Sequence, residues 1–240
     1  TPFNNDNTVL GGVDFFGGSP ESQYYLDDMT FVEVFNPDSD LVTDLNFEQA
    51  LIDLNIDTNG LTGDVLNSDV LATTSINANN RNISDLRGLE AFSNLTFLNL
   101  QNNNITDIDV SNNLNLIDFR VSNNPLASGV DISILGNLEN FYADGININS
   151  LNVTNNLNLK FLIARNNLLT TIDLTNNPNL TVLFLGNNDI STIDLSNNLL
   201  LERISLYQNR ITSFDATIFP NLTLLDLQDT DAGFDLTSVD

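Results

Sequence analysis

Between residues 71 and 227 apolar and polar positions recur in one order: apolar, two variable, apolar, one variable, apolar, two variable, Asn, one variable, apolar. The order is met at Leu95, Leu98, Leu100, Asn103 and Ile105, and again at Leu116, Phe119, Val121, Asn124 and Leu126. It returns at Leu159, Leu162, Ala164, Asn167 and Leu169, at Leu180, Leu183, Leu185, Asn188 and Ile190, and at Leu201, Ile204, Leu206, Asn209 and Ile211. Weaker copies begin at Thr73, Leu138 and Leu222, with Arg81, Ile146 and Thr230 at the Asn position. Successive copies start 21 or 22 residues apart, and eight copies in phase predict a stack of coils. The fourth and sixth positions share one face of an extended segment, so each copy predicts a short strand pairing with the next coil at about 4.8 Å. The Asn is predicted to point inward and satisfy backbone groups at the turn, leaving copies without it looser. The other half of each coil, as in 172–178, is too short and too rich in Asn for a regular helix, and predicts extended or 3₁₀ segments.

These residues resemble the leucine-rich repeat family over roughly 71–227. The resemblance implies a right-handed solenoid of the α/β class, with a parallel sheet on the concave face and mostly coil or 3₁₀ on the convex side. The helix-compatible stretch 86–92 resembles the internalin-like variant. Eight repeats are assigned to 73–228 and a capping segment to 37–72. Within the latter, Phe47, Ala50, Leu51 and Leu54 at helical spacing predict a helix over 46–54, with Asn46 as N-cap and Gln49 three residues on.

The stretch up to Val70 is similar to the lead-in of secreted repeat proteins of Bacteroidetes type, where an acidic loop often resembles a calcium-binding EF loop. Here Asp57, Asn59, Asp64 and Asp69 are the calcium candidates, with Leu61 in place of an acidic ligand and Gly63 displaced by one; a plain turn is the competing reading. Residues 23–34 predict one long strand after the Gly-rich 11–18. They resemble the last strands of a jelly-roll carbohydrate-binding module, so 1–36 is expected to be a stub of a preceding β domain plus linker. The tail 229–240 shows no capping helix, and the natural chain is expected to continue.

Composition narrows the chemistry. The chain has 240 residues, with 32 Asp+Glu against 7 Lys+Arg, a formal net charge of −25, and no His, Cys or Trp. Zinc sites of the Cys/His type, Cys nucleophiles and Ser/His/Asp triads lack their obligatory groups. The charge makes nucleic acid and anionic membrane poor partners. A recognition surface is the better candidate, and on this architecture it is the concave face. The outward strand positions carry Arg120, Arg165 and Arg203, three of the seven basic residues, with Tyr142, Phe161, Ile163, Phe184 and Tyr207 around them and Phe97 and Val182 beside them. Aromatics with Arg form the composition of an interface hot spot; the competing reading is cross-strand pairing that merely stabilises the sheet.

A protein partner is the first reading, and a glycan stacked on the aromatics, bound as an accessory to a secreted polysaccharide-degrading enzyme, is the alternative. The arginines are expected to hold carboxylate or sulfate groups. A glycosidase would draw on Asp118, Glu139, Asp144, Glu202 and Asp226, but an open sheet excludes no water, so no enzyme is assigned. Two further ladders are a turn row at Asp109, Asp131, Asn152, Asp173, Asp194 and Asp215, either capping turns or binding calcium, and a Ser/Thr row from Ser84 and Thr106 to Thr212, an ice-binding geometry or ordinary turn composition. No cofactor is assigned. A bacterial secreted or surface location is expected.

Overall fold

The fold is that of a computed structural model, which describes residues 39–230. The jelly-roll likeness and the stub at 1–36, and all but the first two residues of the 229–240 tail, therefore lie outside the described residues.

Every coil contributes one three-residue strand, and the strands follow chain order. They are β3 (Ser75–Asn77), β4 (Phe97–Asn99), β5 (Asp118–Arg120), β6 (Asn140–Tyr142), β7 (Phe161–Ile163), β8 (Val182–Phe184), β9 (Arg203–Ser205) and β10 (Leu224–Asp226). All eight are parallel in one sheet, each paired only with its neighbours in sequence. The register puts Ile76, Leu98, Phe119, Phe141, Leu162, Leu183, Ile204 and Leu225 in one inward row. The first seven of these are fully buried. The convex side is turns and extended segments, with short 3₁₀ helices at Leu89–Ala91, inside the helix-compatible stretch, and at Ala216–Ile218.

The conserved spacing of the repeat Asn has a mechanical reason. Asn167 donates its amide to the Ala143 and Ala164 carbonyls at 2.8 and 3.1 Å and accepts the Ile146 and Ile148 N–H groups at 3.2 Å. One side chain thus satisfies four backbone groups on two coils. Asn103 does the same at its junction, and Asn124, Asn188 and Asn209 bridge theirs with two carbonyls and one N–H each. Positive φ at Asn102, Asn123, Asn166 and Asn187, a region Asn tolerates, turns the chain just before it.

Where the Asn is missing, the substitutes differ. Thr230 Oγ1 donates to the Leu227 carbonyl at 3.0 Å, as Asn would. Arg81 pairs with Asp53 of the cap. Ile146 is simply buried, and the Leu126 N–H turns back to the Asn124 carbonyl at 2.9 Å.

The cap comprises β1 (Ser39–Leu41) antiparallel to β2 (Asp64–Leu66), α1 (Leu45–Asp53) and α2 (Asn67–Ala72). Helix α1 starts one residue before the expected boundary, and its N-cap is Asp44 instead of Asn46. The Asp44 carboxylate accepts from Asn46 and Phe47 N–H and, through its other oxygen, from Ser84 and Asp85 N–H, joining helix and first coil. Phe47, Ala50 and Leu51 close the end of the core.

Candidate functional site

Because strand residues alternate between faces, the residues flanking each core position project onto the concave side. Two stacks form there. Arg120 lies over the Phe97 ring at 5.3 Å and the Tyr142 ring at 4.6 Å. Phe184 is held between Arg165 at 5.8 Å and Arg203 at 5.1 Å. Contacts of this kind contribute about 0.5–1 kcal/mol each at exposed sites.

Carboxylates fix two of the three arginines. Arg120 holds Asp118 through two nitrogens at 2.7 and 2.8 Å, and Arg165 holds Asp144 of the preceding coil at 2.6 and 3.1 Å. Hydrogen bonding to these carboxylates pushes both guanidinium groups further up in pKa. Their forks are thus filled from within the chain, by Asp118 and Asp144, where the sequence expectation had them hold a ligand's carboxylate or sulfate groups. Among the described residues Arg203 has no carboxylate within ion-pair range, and it is exposed. Of the other acids named for a glycosidase, Glu139 holds Lys160 at 2.8 Å and Asp226 accepts from Ser205 at 3.2 Å, while Glu202 is exposed.

Tyr142, Phe161, Ile163, Phe184 and Tyr207 are half-buried, whereas Val182 is only 5% exposed, contrary to expectation, because Phe161 and Arg203 flank it in register. Tyr207 reaches its place through Gly186: a Cβ there would lie 2.0 Å from the ring, so the ring lies flat on the bare backbone of the coil before. Gly186→Ala must therefore move Tyr207, at a cost of about 1–3 kcal/mol. A double-mutant cycle checks this. In a Tyr207→Ala background the same change should be nearly neutral; equal costs in both backgrounds would refute the notch.

The Asp row takes the capping role. Asp109, Asp131, Asp173, Asp194 and Asp215 each accept the N–H two residues on at 2.8–3.0 Å, as Asn152 does at 3.1 Å. Hydroxyl and backbone donors of that residue hold these carboxyls below the usual range, outweighing a small upward push on Asp173 from Asp194. Folded values below unfolded ones mean stability present above about pH 4 and lost as pH falls through the folded values. With all five changed to Asn, which keeps the acceptor, the melting advantage of the parent over the variant should shrink below about pH 4. An advantage constant from pH 7 to 2 would contradict this.

The calcium candidates divide. Asp69 accepts Thr58 N–H and Oγ1 at 3.1 and 2.7 Å, and Asp64 Oδ1 accepts Asn59 Nδ2 and Thr62 Oγ1 at 2.8 and 2.5 Å. Asp57 Oδ2 and Asn59 Oδ1 are buried and meet no donor. Sequence reading missed Glu48, which is fully buried beside Leu51 with Oε1 on the Thr62 and Gly63 N–H groups, both at 2.6 Å. The signal was an acid at the edge of the apolar stripe of α1. Among the described residues no helix is long and apolar enough to cross a membrane.

No protein-family model matches the chain, and no curated protein is significantly similar to it. Solved structures are. The functional domain of InlJ from Listeria monocytogenes, which includes a cysteine ladder, is 28% identical with a TM-score of 0.65; the match covers 78% of this chain and 46% of that one. This chain thus spans under half of that domain, and it has no Cys, its buried ladder being Asn. Internalin C2 of the same organism is 23% identical with a TM-score of 0.69, over 83% of this chain and 90% of that one. A leucine-rich repeat protein of Leptospira interrogans, LIC12759, is 18% identical with a TM-score of 0.54, over 67% and 50%.

Proposed function

We propose that this chain, a leucine-rich repeat protein whose coils match internalin structures, is a non-catalytic recognition module that binds a protein partner through the concave face of β5–β9. The observation that carries this reading is the pair of arginine–aromatic stacks. Asp118 and Asp144 hold two of the arginines, so the aromatics flanking them are presented in fixed positions at little ordering cost. Arg203, exposed and free of a carboxylate among the described residues, supplies the one charge open to an acidic group of the partner. Tyr142, Phe161, Ile163, Phe184 and Tyr207 supply the apolar contact. A secreted or surface location is part of this reading: a net charge of −25 is compatible with it, because a Debye length of about 8 Å at physiological ionic strength screens self-repulsion.

One observation favours a glycan as the second reading: the Tyr207 ring, laid flat on Gly186, is a platform of the kind on which a sugar stacks. An array of bacterial and host surface proteins together with polysaccharides separates the two. For whatever is captured, the Tyr142→Ala, Phe184→Ala double variant should weaken binding about 100-fold or more, two hot-spot side chains being worth ~1.4 kcal/mol or more each. Unchanged affinity in a folded variant would remove the concave face from consideration. Arg203→Ala should weaken an acidic protein ligand while leaving a neutral glycan nearly unaffected.

A further inference from the structure

The acidity of this chain stops at one edge of the solenoid. Six successive coils enter their strands through the turns 111–116, 133–138, 154–159, 175–180, 196–201 and 217–222, and none of these residues is Asp, Glu, Lys or Arg. The capping Asp row ends two residues short of them. On a chain of net charge −25 the stacked turns thus form an uncharged band, about 24 Å long at about 4.8 Å per coil. Along its middle, two positions before the first leucine of each repeat, stand Leu114, Gly136, Leu157, Pro178, Leu199 and Pro220. All six are exposed, so three large leucines are left half in water. Neither backbone nor packing demands glycine at 136: its φ is not positive, and a Cβ there would meet nothing within 4 Å. The row alternates leucine knobs, about 10 Å apart, with one glycine and two compact prolines. Exposed Asn residues flank it in each coil, except where Ile134, Leu200 and Ile218 replace them.

We propose that this band is the contact face of a homodimer, in which a second copy of the chain lies antiparallel along it. Two copies at −25 repel over their acidic surfaces, so a contact between them is most favourable where both are uncharged. A partner of opposite charge would be drawn to the acids instead, away from the band. The row is also self-complementary under a two-fold axis, as a closed dimer requires. With the axis between the coils of Leu157 and Pro178, Leu157 faces the partner's Pro178, Leu199 faces the partner's Gly136 and Leu114 faces the partner's Pro220. Every knob then meets a compact position, and no two leucines collide. The flanking Asn amides supply a polar rim without charge. A contact this narrow belongs to the small, transient class of interface, below about 1,200 Å². None of the concave-face residues takes part, so the pairing is independent of what that face binds, and it presents two such faces in one assembly.

Sedimentation velocity of the full chain from about 10 µM to about 500 µM, a range suited to a transient contact, should show a monomer–dimer equilibrium. The dimer should tighten between about 0.1 M and about 1 M NaCl, because shortening the Debye length from about 10 Å to about 3 Å screens the repulsion between copies. Leu157→Asp puts a charge into the band, and Gly136→Leu fills the notch. Each should weaken dimerisation about 10-fold or more with melting unchanged, since both positions lie outside the core. Cysteine pairs read the register, as the chain has no Cys of its own. Under mild oxidation Leu114→Cys and Pro220→Cys should cross-link when mixed and neither alone, like positions lying about 24 Å apart in the dimer. A monomer at every concentration and salt overturns the proposal, as does a dimer that survives both substitutions or loosens with salt. Cross-linking of Leu114→Cys to itself would overturn the antiparallel arrangement.

Discussion

Asn167→Leu is expected to cost about 3–5 kcal/mol, while Asn177→Leu, at a fully buried position in the other half of the same coil, should cost only about 1 kcal/mol. The difference follows from what each amide does. Asn167 uses both ends, so Leu would strand the Ala143 and Ala164 carbonyls and the Ile146 and Ile148 N–H groups together. Asn177 uses only its nitrogen, on the Val153 and Asn156 carbonyls at 3.0 and 2.9 Å, and its own buried oxygen already meets no donor. Leu removes that orphan along with the two bonds and adds apolar burial. The chain itself makes this exchange, with Phe92, Leu135 and Phe219 at the equivalent position of other coils. Urea denaturation of the two variants decides, and equal losses would refute the distinction.

That second ladder, Asn113, Asn156, Asn177 and Asn198, was not legible in the sequence, though the first was. In the first, Asn stands alone inside an apolar pattern, where an inward polar group needs a purpose. In the second it is the later half of an Asn-Asn pair at 112–113, 155–156, 176–177 and 197–198, indistinguishable by composition from a solvated turn. The strand phase was readable because a period of two fixes which side chains share a face, and the outward row of Arg120, Tyr142, Ile163 and Phe184 followed from it. What that row binds internally was only partly readable. Asp118 is two residues from Arg120 on the same face, so their pairing was within reach. Asp144 and Arg165 are 21 residues apart and meet only through the register of the coils. The N-cap was misplaced because Asp44 does two jobs, and its contacts with Ser84 and Asp85, about 40 residues away, leave no local signal.

Phe141→Ala is expected to be the most damaging single change in the sheet, at about 3–5 kcal/mol, and to divide the stack into two parts. In a solenoid each coil is stabilised by its two neighbours alone, so the weakest junction decides whether the molecule unfolds as one. Between β4 and β5, and at each junction from β6 to β9, both buried ladders supply an Asn bridge. Between β5 and β6 both positions are apolar, Leu135 and Ile146, each essentially fully buried. What replaces the amides there is packing, with Phe119 and Phe141 fully buried and their rings 5.6 Å apart and tilted by 40°. Removing the Phe141 ring opens a cavity at the one internal junction where neither buried ladder supplies an Asn, leaving the peripheral amide bonds of Asn137 to the Leu114 carbonyl at 3.3 Å and of Asn140 to Asp118 at 3.2 Å. Hydrogen exchange of the variant should show β3–β5 and β6–β10 losing protection separately, whereas Leu162→Ala, beside the Asn156 and Asn167 bridges, should leave a single cooperative transition. Uniform protection loss in both variants would show that the strand ladder alone couples the coils.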